Sequence, residues 1–137
     1  MWWIYALLSA FFAGITAVLA KAGVRGVDSD LGMAVRTVVI LMMAWSIVFV
    51  KNSASGINTL TKTNVIFLTL SGLATGLSWI FYFRALQLGK VSAVAPLDKL
   101  SIAIAIILSA MFLKEAITLK TLLGALLIIA GTIVIIR

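Results

Sequence analysis

The chain has 137 residues, of which 64% are hydrophobic and 11% are charged. Soluble domains carry about half apolar and about a quarter charged residues, so this composition excludes an ordinary soluble protein. The formal net charge of +7 would suit nucleic-acid binding, but the basic residues stand singly at the ends of apolar runs and form no basic stripe. Because the chain has no cysteine and no histidine, disulfides, thiolate chemistry and His-ligated metals are excluded, and no cofactor is predicted.

Five apolar runs are each long enough to cross a bilayer, which takes about 20 residues. The predicted spans are Trp3–Ala20, Leu31–Val50, Val65–Leu86, Val91–Leu113 and Leu119–Ile136. Aromatic residues precede the first run and basic residues follow it, as at a membrane interface, and we interpret it as a retained span and not a signal peptide. The predicted fold is an all-α integral membrane protein, a five-helix transmembrane bundle in a single domain over residues 1–137.

The positive charges divide almost evenly between the two sides of these spans. On the side of the N-terminus lie Lys51, Lys62, Lys114 and Lys120. On the other side lie Lys21, Arg25, Arg36, Arg84, Lys90 and Arg137, with Lys99 inside a span. By the positive-inside rule this is a weak bias toward an N-terminus outside the cytoplasm. A chain with so weak a bias can insert in both orientations, which predicts dual topology and an antiparallel homodimer.

Charged side chains within spans are the best pointers to function, because each costs about 2.5–3.5 kcal/mol at mid-membrane. If the fourth helix begins at Val91, Asp98 lies roughly 10 Å along its axis, where it can exchange a proton or neutralise a cationic substrate. If the helix instead begins at Pro96, Asp98 is a cap near the interface. Neighbouring helical residues point about 100° apart, so helical geometry alone does not pair Asp98 with Lys99, and Lys99 can snorkel.

Two arginines belong to the same side of the membrane as the start of the fourth span. Arg36 opens the second span and Arg84 closes the third, and both can reach the interface by snorkelling. Alternatively, Asp98, Lys99 and the two arginines form one polar cluster at similar depth. In an antiparallel dimer, two such clusters would act as alternating gates.

The remaining candidates are a proline and two aromatic residues. Unless it starts a helix, Pro96 frees the carbonyl of Ser92 and predicts a kink or local unwinding. Trp79 and Tyr82 either line an aromatic substrate pocket or pack within the bundle. An enzyme is not predicted, because no histidine is present to activate a serine or threonine, and Asp28 suits a helix cap in the first connection. No Gly-rich phosphate loop is present, so ATP hydrolysis within this chain is not predicted.

Four stretches of the sequence occur in an order and at a spacing that are typical of one family of membrane proteins. They are Phe81–Lys90, Val94–Leu97, Leu113–Leu119 and Leu123–Gly131. Together with Gly14, Lys21 and Arg36 earlier in the chain, they resemble the EamA-like domain of the drug/metabolite transporter superfamily. Members of that family usually have Gly before the Glu of the fourth connection, whereas this chain has Lys114 there.

Typical members of the superfamily carry two such domains in inverted orientation, and this chain has one. It therefore resembles the half-size type, for which Pro96–Ser101 is characteristic. The resemblance implies a secondary transporter of small metabolites or drugs in the plasma membrane, coupled to a proton or another solute. The substrate would bind near the midplane between two halves, so a dimer working by alternating access is expected. The alternative is a non-transporting accessory or structural subunit that pairs with another half-size chain.

Overall fold

The computed structural model describes residues 1–136, and the structure in that range consists of helices and connections without strands. The α-helices are α1 (Trp2–Gly23), α2 (Ser29–Val50), α3 (Lys62–Leu88), α4 (Val91–Asp98), α5 (Ser101–Phe112) and α6 (Leu119–Ile136). A short 3-10 helix (Ser53–Thr59) follows α2. Arg137, which was counted among the basic residues, lies outside the described residues.

Five stretches are long and apolar enough to cross a membrane, which confirms the predicted number of spans. They are α1, α2, α3, the stretch Val91–Phe112 that contains α4 and α5, and α6. The last predicted span coincides with α6, whereas α1 continues to Gly23 and α3 begins earlier, at Lys62. α1 and α3 are longer than their apolar runs because backbone hydrogen bonding continues into the polar residues that flank these runs.

The fourth span, predicted over Val91–Leu113, covers Val91–Phe112 and is interrupted for two residues, which is the local disturbance predicted for a Pro96 inside the span. α4 ends at Asp98 and α5 begins at Ser101. Since α4 begins at Val91, Pro96 lies inside it, and the alternative in which Pro96 starts the helix is wrong. Proline lacks an N–H donor and crowds the carbonyl four residues earlier, which disturbs the turn before it. After Pro96, the N–H groups of Lys99 and Leu100 bond to carbonyls three residues back, and this 3-10-like turn separates α4 from α5.

Residues 19–87 form one compact group. Its buried residues are Val24, Ser29, Phe83 and Leu86. Two side-chain hydrogen bonds connect the end of α1 and the segment after it to the end of α3. Lys21 Nζ donates to the carbonyl of Leu86 at 2.5 Å, and Gln87 Nε2 donates to the carbonyl of Val27 at 2.8 Å. These bonds satisfy carbonyls that a helix end and a turn would otherwise leave without partners.

The start of α2 is fixed by a cap and by a close approach. The Asp28 carboxylate accepts hydrogen bonds from the backbone N–H groups of Asp30 at 2.9 Å and Leu31 at 3.2 Å, which confirms the predicted cap. Gly32 faces Val24, and a Cβ at Gly32 would lie 3.0 Å from Val24 Cγ1. Glycine therefore lets this turn of α2 pack closely on the connection that precedes it.

Met1–Val18 and the chain from Leu88 onward form the other compact group, in which α4 and α5 contact α6. Its buried residues are Ala17, Ala125 and Thr132. The Thr132 hydroxyl lies 2.8 Å from the carbonyl of Ile128 and 3.3 Å from that of Pro96. The second contact joins α6 to α4 within one turn of the break in the fourth span.

Candidate substrate and ion pathway

The Arg36 side chain of α2 lies on aromatic rings of α3. Its guanidinium carbon is 4.2 Å from the centroid of the Trp79 ring and 5.6 Å from that of Phe83. Both distances are within the roughly 6 Å range of cation–π attraction. Trp79 and Phe83 are four residues apart, so they lie on the same face of their helix. The structure thus brings together two predicted site residues, Arg36 and Trp79, and adds Phe83 to them.

The position of this cluster can be measured along the two helices that carry it. Arg36 follows the first residue of α2, Ser29, by about 10 Å of helix axis at 1.5 Å per residue. Phe83 and Trp79 precede the last residue of α3, Leu88, by about 7 Å and about 13 Å. The guanidinium carbon thus lies over rings from the last three turns of α3, and the predicted snorkelling of Arg36 stays a prediction.

Aromatic contact offsets much of the cost of placing this charge in a membrane. The cost on insertion scales is about 2.5–3.5 kcal/mol for arginine at the helix centre, and desolvated cation–π contacts contribute about 2 kcal/mol or more. Phe83 is 2% exposed, so its ring is fixed by packing. The half-buried Tyr82 lies close enough to Arg36 for an electrostatic interaction. The cluster retains a positive charge within the span.

Phe83 was missing from the predicted site. The sequence does contain a signal for Phe83. Trp79 and Phe83 are four residues apart, which places two rings on one face of a helix, and another span contains an arginine that could lie on them. Spacing within α3 does not identify which face meets α2, and that information comes from the structure.

Arg84 is exposed and makes no hydrogen bond, ion pair or ring contact with the described residues. It directly follows Phe83, and neighbouring helical positions point about 100° apart, so the face that holds Arg36 excludes it. The structure does not bring Arg84 to Arg36. The predicted cluster that joins these arginines to Asp98 and Lys99 stays a prediction.

Asp98 and Lys99 form an ion pair at the break in the fourth span. Lys99 Nζ lies 3.4 Å from Asp98 Oδ2, and the two side chains are 52% and 36% exposed respectively. Helical spacing alone left this pairing open, and the structure shows it. Lys99 follows the last residue of α4, and its N–H bonds to the carbonyl of Pro96 at 3.0 Å in a 3-10-like turn. The regular α-helical spacing therefore no longer applies, and the flexible lysine stem can bend back to the carboxylate.

The carbonyl of Pro96 has two donors. Besides Lys99 N, the Thr132 hydroxyl of α6 lies 3.3 Å from it. Thr132 was also missing from the predicted site, because a lone threonine in an apolar span has the pattern of a packing residue. It holds the broken span on α6 next to the Asp98–Lys99 pair.

Comparisons with known proteins agree with this architecture. The model of the EamA-like transporter family matches residues 1–137. A Sinorhizobium sp protein named "Uncharacterized transporter in cobO 3'region" is 46% identical over 134 residues, which cover 98% of this chain and 95% of that protein. A protein of Methanocaldococcus jannaschii is 38% identical over 66 residues, which cover 48% of each chain. No solved structure matches the chain.

Proposed function

Because the chain belongs to the EamA-like transporter family, we propose that it is a secondary transporter of small metabolites or drugs in the plasma membrane. Membrane transport in general and a multi-pass position in a bilayer follow from the family and from the five apolar helices. The observation that carries the proposal is the interrupted fourth span. Secondary transporters form their solute and ion sites at discontinuous helices, and α4 and α5 are separated at the Asp98–Lys99 pair.

The match to a single EamA-like domain supports a dimer as the working unit. Inverted-repeat transporters bind solute between two halves, and this chain matches one EamA-like domain. The Sinorhizobium relative is matched over 95% of its own length, so that protein too has the length of one such domain. A second copy in the opposite orientation would supply the other half.

Asp98 carries the proposed proton coupling. It is a carboxylate inside a predicted span, at the end of α4, beside a lysine ammonium. The Asp98 carboxylate lies 3.4 Å from the Lys99 ammonium, and a proton bound to the carboxylate would remove the charge that attracts the lysine. The junction between α4 and α5 can then change its bend while the two halves rock between inward-open and outward-open states.

Transport is tested with the purified chain in lipid vesicles. Vesicles are loaded with a small-molecule cell extract, incubated in buffer with and without a pH gradient, and their contents are measured by mass spectrometry. The proposal expects loss of specific solutes that protein-free vesicles retain. Retention of every solute, together with co-purification of a second five-span chain from cells, would instead favour an accessory subunit.

Orientation is tested with single cysteines, which is simple because the chain has none. A cysteine is added at either terminus, and intact cells are labelled with a membrane-impermeant maleimide. An antiparallel homodimer predicts labelling of about half of the molecules at each terminus, since five spans place the termini on opposite sides. Complete labelling at one terminus and none at the other would contradict it.

A further inference from the structure

The edge of the Arg36 guanidinium is the feature that the transport proposal leaves unused. The guanidinium carbon lies over the Trp79 ring, 4.2 Å from its centroid, and this cation–π contact is not a hydrogen bond. Arginine has five N–H donors in the plane of its guanidinium, and they can still donate to an acceptor. Arg36 makes no hydrogen bond or ion pair with the described residues, so these donors remain available to a ligand.

No carboxylate of the same compact group neutralises this charge. Within residues 19–87 the acids are Asp28, which caps α2, and the exposed Asp30. Neither is paired with Arg36. A half-buried cation that lies on rings, and is not paired with an acid of its own compact group, can receive a negative charge from a ligand.

The ring contacts also decide between two classes of solute. Trp79 and Phe83 offer the aromatic faces that would bind a lipophilic cation, but Arg36 already lies over both. A second cation there would be repelled by the guanidinium. A carboxylate or phosphate group, in contrast, can accept two parallel hydrogen bonds from the guanidinium edge.

We propose that Arg36, oriented by Trp79 and Phe83, binds the oxyanion group of the transported solute. The substrate class is then organic acids, zwitterions with a free carboxylate, or phosphate esters, in preference to lipophilic cations. This inference rests on the proposed transport function in one respect, namely that the solute bound at Arg36 is also transported. Binding at Arg36 is measurable without transport.

The test uses Trp79 as its reporter. The other tryptophans are replaced in one background variant, Trp2→Phe, Trp3→Phe and Trp45→Phe. In phosphatidylcholine vesicles this protein is titrated with benzoate, with inorganic phosphate and with phenyltrimethylammonium, a cation of similar shape to benzoate. Saturable changes in Trp79 emission are expected with at least one of the two anions and not with the cation.

Substitutions assign the response to Arg36. Arg36→Lys keeps the charge but loses the planar fork, so anion affinity should fall about tenfold. Arg36→Gln should abolish the saturable response. Arg25→Gln, which removes an exposed charge of the same compact group, should leave it unchanged. Equal anion affinity in Arg36→Gln, a saturable response to phenyltrimethylammonium, or no response to either anion would overturn the proposal.

A lipid headgroup offers the same phosphate chemistry as a solute. Repeating the benzoate titration in vesicles that contain phosphatidylglycerol distinguishes the two sources. An unchanged benzoate affinity supports a solute site, whereas loss of benzoate binding on addition of the anionic lipid would overturn the solute assignment.

The two proposals can fail separately. Anion binding that depends on Arg36, with no solute lost from loaded vesicles, would overturn the transport function and leave the oxyanion site intact. Loss of solutes without acidic groups, at a rate unaffected by Arg36→Lys, would support transport and overturn the oxyanion site.

Discussion

The two compact groups of this chain place charge inside apolar helices in different ways. In residues 19–87, Arg36 lies on the rings of Trp79 and Phe83 and is not paired with an acid. In the group that includes the chain from Leu88 onward, Asp98 and Lys99 neutralise each other where a helix is broken. The first arrangement keeps a net charge on continuous helices, and the second keeps a neutral pair on an interrupted one.

This difference suits two separate tasks of a transporter. A cation fixed by ring faces on unbroken helices has a defined position, and its free N–H donors can recognise a solute. A neutral ion pair at a 3-10-like junction can be separated by one proton, and the backbone around it is already outside regular α-helix geometry. Recognition and coupling would then reside on different elements, and changes in either group should affect one task more than the other.

The largest expected effect comes from removing the ring that fixes Arg36. Phe83→Ala deletes a side chain that is 2% exposed, leaves a cavity and weakens the support of the guanidinium. We expect loss of about 3 kcal/mol in the free energy of unfolding, measured by denaturation in mixed micelles. Phe81→Ala is the matched control on the same helix, because Phe81 is 69% exposed. Equal losses in the two variants would show that Phe83 is not a packing residue.

The next effect concerns coupling in the other group. Asp98→Asn keeps the size of the side chain but can no longer exchange a proton or pair ionically with Lys99. Uptake driven by a pH gradient should fall at least tenfold, about 1.4 kcal/mol, while exchange of the same solute at equal pH persists. Asp30→Asn, in the first turn of α2, is the control for loss of an acid and should leave both rates unchanged. Gradient-driven uptake at the normal rate would exclude Asp98 from coupling.

Features of these two regions that depend on neighbouring residues can be predicted from the sequence, whereas contacts between helices cannot. Composition and run length determine the five spans, and Asp28 is identifiable as a cap from its place before an apolar run. Pro96 signals a disturbed helix, but its own position did not show whether it starts α4 or lies inside it. The pairing of α2 with α3 at Arg36 and Phe83 depends on which helical faces meet, and apolar periodicity is weak when lipid surrounds the helices.

A smaller effect tests the junction itself. Thr132→Val keeps the shape of the side chain and removes its hydrogen bonds to the carbonyls of Pro96 and Ile128. Side-chain hydrogen bonds in membrane proteins average about 0.6 kcal/mol, and we expect a loss of that order in mixed-micelle unfolding. Thr37→Val is the control, because the Thr37 hydroxyl donates to Met33 of its own helix. A similar loss in both variants would mean that the contact between α6 and α4 adds nothing.

The smallest effect compares backbone strain in the two groups. Lys114 has φ 56° and Asn52 has φ 51°, and a left-handed conformation costs a residue with a Cβ about 1–2 kcal/mol, less for asparagine. Glycine removes this cost but adds about 0.4–1 kcal/mol of unfolded-state entropy. Lys114→Gly should therefore stabilise the protein by about 0.5 kcal/mol, seen as a higher midpoint of thermal unfolding, whereas Asn52→Gly should be near neutral. Equal increases in the unfolding midpoint at both positions would contradict this prediction. They would show that asparagine tolerates the left-handed conformation no better than lysine does.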